Sequence, residues 1–157
     1  MKLTEILGEH EIKINLEAED KLEAIEELVD LLISEHEISL RNRDEILEVV
    51  FQREKSISTG VGGGIAIPHG TVGCIDDIVG AIGISSQGIN FDSFDGEPVN
   101  IVLLLLVPKD KFGKHIKTLA HIAKTLNKDI IREKIRTAES SEKVLSIIEE
   151  SERELEI

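Results

Sequence analysis

The sequence predicts an α/β fold in which a mixed β-sheet is flanked by helices on both faces, as an α/β/α sandwich. Segments with strand patterns and segments with helix patterns are mixed along the chain. An apolar run from Ile101 to Val107 is too short to span a membrane and is typical of a buried strand. The chain has 157 residues, of which 41% are hydrophobic, so it can bury a substantial core. We therefore expect a single domain over residues 1–157.

The first third of the chain is predicted to hold a strand followed by two helices. Apolar residues alternate with polar ones within Glu11 to Ala18, which predicts a half-buried strand. Asp20 is a plausible N-cap for an amphipathic helix over residues 21–36, where apolar residues recur at helical spacing. A second helix is expected to start at Asn42 and to run toward Arg53, with two acids in its first turn that favour the helix dipole.

The segment "STGVGGGIAIPHG", residues 58–70, holds five glycines, and its first half is predicted to be an open loop. Residues 65–67 are expected to form a short strand that ends at Pro68 and His69. Strands over 78–84 and 99–107 follow, with a turn at Asp95-Gly96 between them. Helices are expected over 114–126 and 140–156, so the last third is predicted to be helical.

Charge and composition exclude several classes of partner and site. The formal net charge of −13 disfavours nucleic acid and anionic membranes, and the chain has no Trp or Tyr to stack on bases. Cys74 is the single cysteine, so an intrachain disulfide is impossible and a zinc site built on cysteines would lack ligands. The N-terminal residues carry charges throughout and form no signal-peptide core. We expect a cytoplasmic protein that binds a small molecule or another protein.

His69 is the candidate reactive residue. It follows the glycine segment and Pro68, and Gly70 leaves its ring accessible. A neutral imidazole keeps one nitrogen lone pair for nucleophilic attack. A histidine in such a loop can also be structural, so its neighbours must decide.

Two further features can hold an anion near His69. Arg53 lies upstream and offers a planar fork of donors that matches phosphate oxygens. Thr59 and the N–H groups of the glycine run, at Gly60, Gly62 and Gly63, can surround a small anion. No Walker lysine pattern is present, so the loop is interpreted as an anion cradle or a turn, not as a nucleotide-binding loop.

His115 is the second candidate histidine, because it shares an apolar helix face with Leu119, Ile122 and Leu126. It is either a core histidine or a donor that stabilises a phosphoryl oxygen beside His69. His121 lies six positions further on, which is not the spacing of a metal-binding pair, so no metal site is predicted. Residues 109–128 hold six lysines and one acid, a basic segment that can attract phosphate or an acidic partner, or can simply face solvent.

The motif "REKSISTGVGGGIAIPHG" resembles the phosphotransferase-system IIA domains of the fructose, mannitol and nitrogen-regulatory type. The resemblance continues through "FDSFDGEPVNIVLLLLVP" and "HIKTLAHIAKTL". It implies that His69 accepts a phosphoryl group from the histidine phosphocarrier protein and passes it to a cysteine of a IIB domain. It also implies that Arg53 and His115 are the active-site arginine and second histidine. No cofactor is implied.

Three functions remain open at this point. The first is a phosphoryl carrier in sugar uptake or nitrogen-type regulation. The second is a regulatory binding module that changes partners on phosphorylation and has no IIB acceptor; the lack of an attached membrane or IIB segment in these 157 residues favours it. The third is a metal-dependent hydrolase that uses His69, His115 and a carboxylate such as Asp92 or Asp95.

Overall fold

The computed structural model describes residues 2–126 and 128–155, and the side chains of residues 111–116 and 155 stand outside that description. The described helices are α1 (Leu3–Ile6), α2 (Lys21–Ser34), α3 (Arg43–Ser56), α4 (Phe112–Leu126), α5 (Asp129–Arg136) and α6 (Ser141–Leu155). The described strands are β1 (Ile12–Lys13), β2 (Gly60–Gly62), β3 (Ile65–Ala66), β4 (His69–Val72), β5 (Val79–Ile89) and β6 (Val99–Pro108).

The sheet is mixed, as the sequence predicted. Its order is β1-β5-β6-β3-β2, with β5 antiparallel to β6 and with β3 and β4 both parallel to β6. β3 and β4 pair with the same side of β6 in one continuous register, Ile65 with Ile101 and His69 with Leu105. Pro68 lies between them, and because proline has no N–H it interrupts the ladder.

The central strand β6 explains why helices cover both faces. Successive side chains of a strand point to opposite faces, and all of the residues from 101 to 107 are at most 2% exposed. One apolar cluster includes side chains of α1, α4, α5 and α6 together with alternate residues of β6, namely Ile101, Leu103, Leu105 and Val107. Val102, Leu104 and Leu106 join the other, with side chains of α2 and α3. The predicted α/β/α sandwich is confirmed.

Several predicted boundaries change. The strand expected within Glu11 to Ala18 is confined to β1, and the strand expected over 78–84 extends to Ile89. The glycine segment is not an open loop throughout, since β2 pairs with β3 around a bulge. His69 begins a strand and does not end one. Within the described residues, no helix is long and apolar enough to cross a membrane.

Candidate active site

His69 is held at the start of β4 with one ring nitrogen engaged. The N–H of Leu105 donates to the Pro68 carbonyl over 3.0 Å, which fixes the chain just before His69. The Nδ1 atom of His69 lies 2.9 Å from the carbonyl oxygen of Ile67. Because a carbonyl oxygen can only accept, this contact places the ring hydrogen on Nδ1. The Nε2 atom of this partly buried ring therefore carries the lone pair.

Gly70 allows helix α3 to lie close against β4. A Cβ atom at Gly70 would come within 2.8 Å of Val49 Cγ1 and 3.2 Å of Val50 Cγ2. Both distances are shorter than ordinary van der Waals contacts, so a side chain at this position would push the helix away. The glycine after the histidine is thus required by packing.

Helical spacing puts Arg53 on the same side of α3 as Val49, which packs against Gly70 of β4. It is one helical turn beyond Val49, and residues four apart lie on the same helix face. The helix runs antiparallel to the strand: Glu45 in its first turn is near Cys74, whose thiol pKa is raised by burial and then by that carboxylate, and Val49 meets Gly70. Proximity of Arg53 to His69, which the resemblance implies, stays a prediction.

The guanidinium of Arg53 is anchored by its own helix end. Its Nη1 atom donates to the carbonyl oxygen of Ile57 over 2.7 Å, just after the last residue of α3. This contact uses one of five N–H groups and orients the planar fork. The other N–H groups of the fork can donate to an anion.

Glu54, next to Arg53, points into the protein. It is 1% exposed, and its two carboxylate oxygens accept from Thr59, one from the backbone N–H at 2.9 Å and one from the hydroxyl. The sequence reasoning missed this residue. The available signal was its position in the buried stripe of α3, four residues after Val50.

The glycine segment is shaped by backbone conformations that only glycine adopts easily. Gly62, Gly63 and Gly64 have φ angles of +93°, +69° and +83°. The N–H of Gly63 donates to Asp95 Oδ2 over 3.0 Å, and this hydrogen bond, with one from the Glu97 N–H, lowers the pKa of Asp95. The segment is therefore tied to the turn around residue 95.

The donors predicted to bind phosphate are largely engaged within the protein. Thr59 donates to Glu54, Gly63 to Asp95, and the Gly60 N–H to the Ser58 hydroxyl over 3.0 Å. Gly62 pairs with Ile65 in the β2–β3 hairpin. In this state these groups stabilise the loop. Their role as phosphate ligands stays a prediction.

His115 lies within α4, but its side chain is outside the described residues. Whether it meets His69, as the resemblance implies, stays a prediction. His121, on the same helix, contacts Glu152 through Nε2 at 3.2 Å. It is directed toward α6.

Four of the six lysines in residues 109–128 contribute to a basic surface. Lys109, Lys117, Lys124 and Lys128 are exposed or partly exposed, whereas the side chains of Lys111 and Lys114 lie outside the described residues. Cations here would favour an acidic ligand at this end of the fold.

The carboxylates considered for a metal-dependent hydrolase have other partners. Asp92 accepts from Lys21 Nζ at 3.1 Å, and Asp95 holds the glycine segment. Among the residues whose side chains are described, no three His, Cys, Asp or Glu side chains are grouped as metal ligands.

A groove of about 320 Å³ lies beside the candidate site. Val61, Ile65 and Ile67 from the glycine segment form one wall, and Ala123, Lys124 and Leu126 of α4 contribute to the lining. Val61 is 60% exposed. Ile67, whose carbonyl oxygen contacts His69 Nδ1, also lines this groove.

Comparison with known proteins identifies relatives over nearly the whole chain. A "Nitrogen regulatory protein" of Bradyrhizobium diazoefficiens is 34% identical over 94% of this chain and 95% of its own length. The "PTS system fructose-specific EIIABC component" of Bacillus subtilis is 32% identical over 98% of this chain, which spans 24% of that relative.

Solved structures of IIA proteins are similar to this chain over most of its length. The nitrogen regulatory protein IIA-Ntr of Neisseria meningitidis has a TM-score of 0.84 and 35% identity, covering 93% of this chain and 98% of that one. IIA mannitol of Escherichia coli shares the fold with a TM-score of 0.76 at 22% identity, over 90% and 98% of the two chains. The model of the family "Phosphoenolpyruvate-dependent sugar phosphotransferase system, EIIA 2" matches residues 5–151. The chain belongs to this EIIA type 2 family of the phosphotransferase system.

Proposed function

We propose that this chain is a phosphoryl carrier in which His69 Nε2 is the atom that is phosphorylated. The observation that carries the proposal is the contact of His69 Nδ1 with the Ile67 carbonyl, which leaves the Nε2 lone pair available. Membership of the EIIA type 2 family supports the same role. The donor is the histidine phosphocarrier protein, and the acceptor is a cysteine of a IIB domain.

The transfer occurs in two displacements. First, the Nε2 lone pair of His69 attacks the phosphorus of the donor's phosphohistidine; the new P–N bond forms as the old one breaks, and its electron pair returns to the donor ring. Second, a cysteine thiolate attacks the phosphorus on His69, and the electron pair of the P–Nε2 bond returns to the histidine. The hydrogen on Nδ1, donated to Ile67, lets the ring share the positive charge that develops in the first step.

Arg53 stabilises the transferred group in this proposal. Its planar fork, oriented by the Ile57 carbonyl, suits the equatorial oxygens of a phosphoryl group in a loose transition state. His115 is proposed as a second donor, together with amides of the glycine segment, which must exchange an internal partner to take part.

The test is incubation with phosphoenolpyruvate and the general phosphotransferase components, followed by intact-mass measurement. We expect one added phosphate that is labile in acid and stable in base, and its loss in His69→Ala. His121→Ala, which changes a histidine on α4 that contacts Glu152, serves as the control and should still be phosphorylated. A wild-type protein that keeps its unmodified mass contradicts the proposal.

A IIB domain is proposed as the acceptor because of a structure that shares this fold. IIA mannitol of Escherichia coli, at 21% identity and a TM-score of 0.76, has been solved in complex with phosphorylated IIB mannitol. The net charge of −13 disfavours nucleic acid as a partner. Cytoplasmic localisation without membrane insertion stays a prediction.

Phosphorylation-dependent regulation is the second candidate function. It is favoured by the similarity to IIA-Ntr, which exceeds that to IIA mannitol in both identity and TM-score. Co-purification and sugar uptake, compared between wild type and His69→Asp, separate a phosphoryl relay from a regulator. A relay loses sugar uptake in His69→Asp, whereas a regulator changes its bound partners and leaves uptake unchanged.

A further inference from the structure

Glu54 is a buried carboxylate that the proposed phosphoryl transfer does not use. Burying a carboxylate is costly unless hydrogen bonds satisfy it. At 1% exposure, Glu54 accepts two hydrogen bonds from the single residue Thr59, and Lys21 Nζ lies 4.0 Å from Oε2. Two hydrogen bonds to one carboxylate fix the position of Thr59.

A continuous series of contacts joins Glu54 to the His69 ring. Glu54 holds Thr59 through both the N–H and the hydroxyl of that residue. The carbonyl of Thr59 accepts from the Ile67 N–H at 3.1 Å. The carbonyl of Ile67 in turn lies 2.9 Å from His69 Nδ1. Displacing Thr59 therefore displaces the carbonyl that selects the tautomer of His69.

The same carboxylate steadies the helix end that carries Arg53. Thr59 is five residues after Glu54, so the contact closes the chain back onto the last turn of α3. The intervening Ile57 carbonyl accepts from Arg53 Nη1 at 2.7 Å. Both residues proposed to act on phosphate are thus attached to the loop that Glu54 closes.

We propose that Glu54 is a positioning residue, an inference that rests on the proposed function. Through Thr59 and Ile67 it holds His69 in the Nδ1–H form, with Nε2 ready to react. It touches neither phosphate nor the reacting atoms, and it acts by hydrogen-bond geometry, not by charge.

Substitutions at Glu54 separate geometry from charge. Gln can accept from the Thr59 N–H and donate to a rotated Thr59 hydroxyl, so Glu54→Gln keeps the contacts without the charge. Glu54→Asp keeps the charge but is too short to make both contacts. We expect phosphorylation of Glu54→Gln within about threefold of the wild-type rate. Glu54→Asp and Glu54→Ala should be about 10- to 100-fold slower, since small misplacements of reacting groups are costly.

The tautomer of His69, read from the ¹⁵N chemical shifts of its ring nitrogens, is a second measurement. We expect the Nδ1–H form in the wild type and in Glu54→Gln, and a mixture of tautomers in Glu54→Asp and Glu54→Ala. This readout does not need the phosphotransferase components. It therefore tests Glu54 even if the wild type is not phosphorylated, a result that would contradict the proposed function alone.

Glu27 provides a matched control. It also accepts backbone N–H groups of a loop, at Glu17 and Ala18, but it lies on α2 and not in the path to His69. Glu27→Ala should leave the His69 tautomer and the phosphorylation rate unchanged. If Glu54→Ala fails to fold, Thr59→Val replaces it, because it removes the hydroxyl contact alone.

Either of two results overturns the inference. One is a His69 tautomer that stays Nδ1–H in Glu54→Asp and in Thr59→Val. The other is a Glu54→Gln protein as slow as Glu54→Asp, which would show that the hydrogen-bond geometry alone does not set the phosphorylation rate.

Discussion

At the residue scale, Gly70 sets how closely a helix approaches the strand of the reactive histidine. Its missing Cβ would meet Val49 at 2.8 Å, a separation that real side chains do not adopt. Either the Val49 side chain or helix α3, which carries Arg53, would have to shift to relieve the contact. The glycine therefore links the packing of α3 to the geometry of the site.

We expect Gly70→Ala to lower the free energy of unfolding by about 1–3 kcal/mol, the usual cost of overpacking a core. Gly73→Ala is the matched control: its Cβ would lie 3.9 Å from Lys109 Cδ, an ordinary contact. That change should be neutral or stabilising by up to about 1 kcal/mol, since alanine restricts the unfolded chain. Urea unfolding measures both, and equal effects would contradict the steric explanation.

The sequence predicts His69 and Arg53 as site residues, which stays a prediction, and it does not single out Glu54. A histidine after proline and before glycine stands out, and an arginine suits phosphate. An acid is ordinarily expected at the surface, so Glu54 was passed over. Its position in the buried stripe of α3 was a signal, but its hydrogen bonds depend on Thr59 closing back onto the helix end, a contact that periodicity does not describe.

At the element scale, helices α2 and α3, which cover the same face of the sheet, begin differently. Asp20 caps α2, because its Oδ1 accepts from the Glu23 N–H at 2.8 Å. Asn42 occupies the same position before α3 but makes no side-chain capping bond. A short 3₁₀ turn, Leu40–Asn42, leads into α3 instead.

Removing the two caps should therefore have unequal effects. Asp20→Ala is expected to cost about 1 kcal/mol of stability, the typical value of a capping hydrogen bond. Asn42→Ala is expected to change stability by less than about 0.5 kcal/mol, as at ordinary surface positions. Chemical denaturation of both variants gives the comparison. A larger loss for Asn42→Ala would show that the cap assignment is wrong.

Periodicity predicted the long elements well and the short ones poorly. The helix expected over 21–36 corresponds to α2, and the helix expected from Asn42 corresponds to α3. The strand expected over 99–107 corresponds to β6. Helix α5 was not distinguished within the helical last third, and β4 was not expected. Four residues of strand do not establish a period, and β4 is defined by its pairing with β6, which is a long-range contact.

At the scale of the whole molecule, one buried acid fastens the N-terminal helix to the C-terminal one. Glu152 of α6 is 1% exposed and accepts from the Leu3 N–H at 2.6 Å and from the Thr4 N–H and hydroxyl at 3.2 and 2.7 Å. His121 of α4 contacts the same carboxylate. Three helices of one layer thus share a single charged group.

Glu152→Ala should destabilise the fold by about 2–4 kcal/mol, because it leaves the buried Leu3 N–H and the partly buried donors of Thr4 without an acceptor. Amide exchange at Leu3 and Thr4 should become faster than elsewhere. Glu149→Ala, at an exposed position of the same helix, should stay within about 0.5 kcal/mol of the wild type. Unchanged exchange at residues 3 and 4 would contradict the assigned contact.

Global composition predicted the architecture better than the site. A 157-residue chain with a fully apolar seven-residue run requires cover on both faces of a sheet, and the sandwich provides it. The single-domain assignment stays a prediction. The net charge of −13 says nothing about the local arrangement of Arg53 and the glycine segment, which depends on helix-to-strand packing.

The Glu152 contact has a consequence for how this fold combines with others. Residue 3 and residue 152 lie within hydrogen-bond distance, so the two ends of the described chain leave the fold side by side. Adjacent ends are the condition for inserting a folding unit into a host protein or for permuting its chain order. A host would need only to supply two neighbouring attachment points, and the sheet that carries His69 would keep every strand pairing.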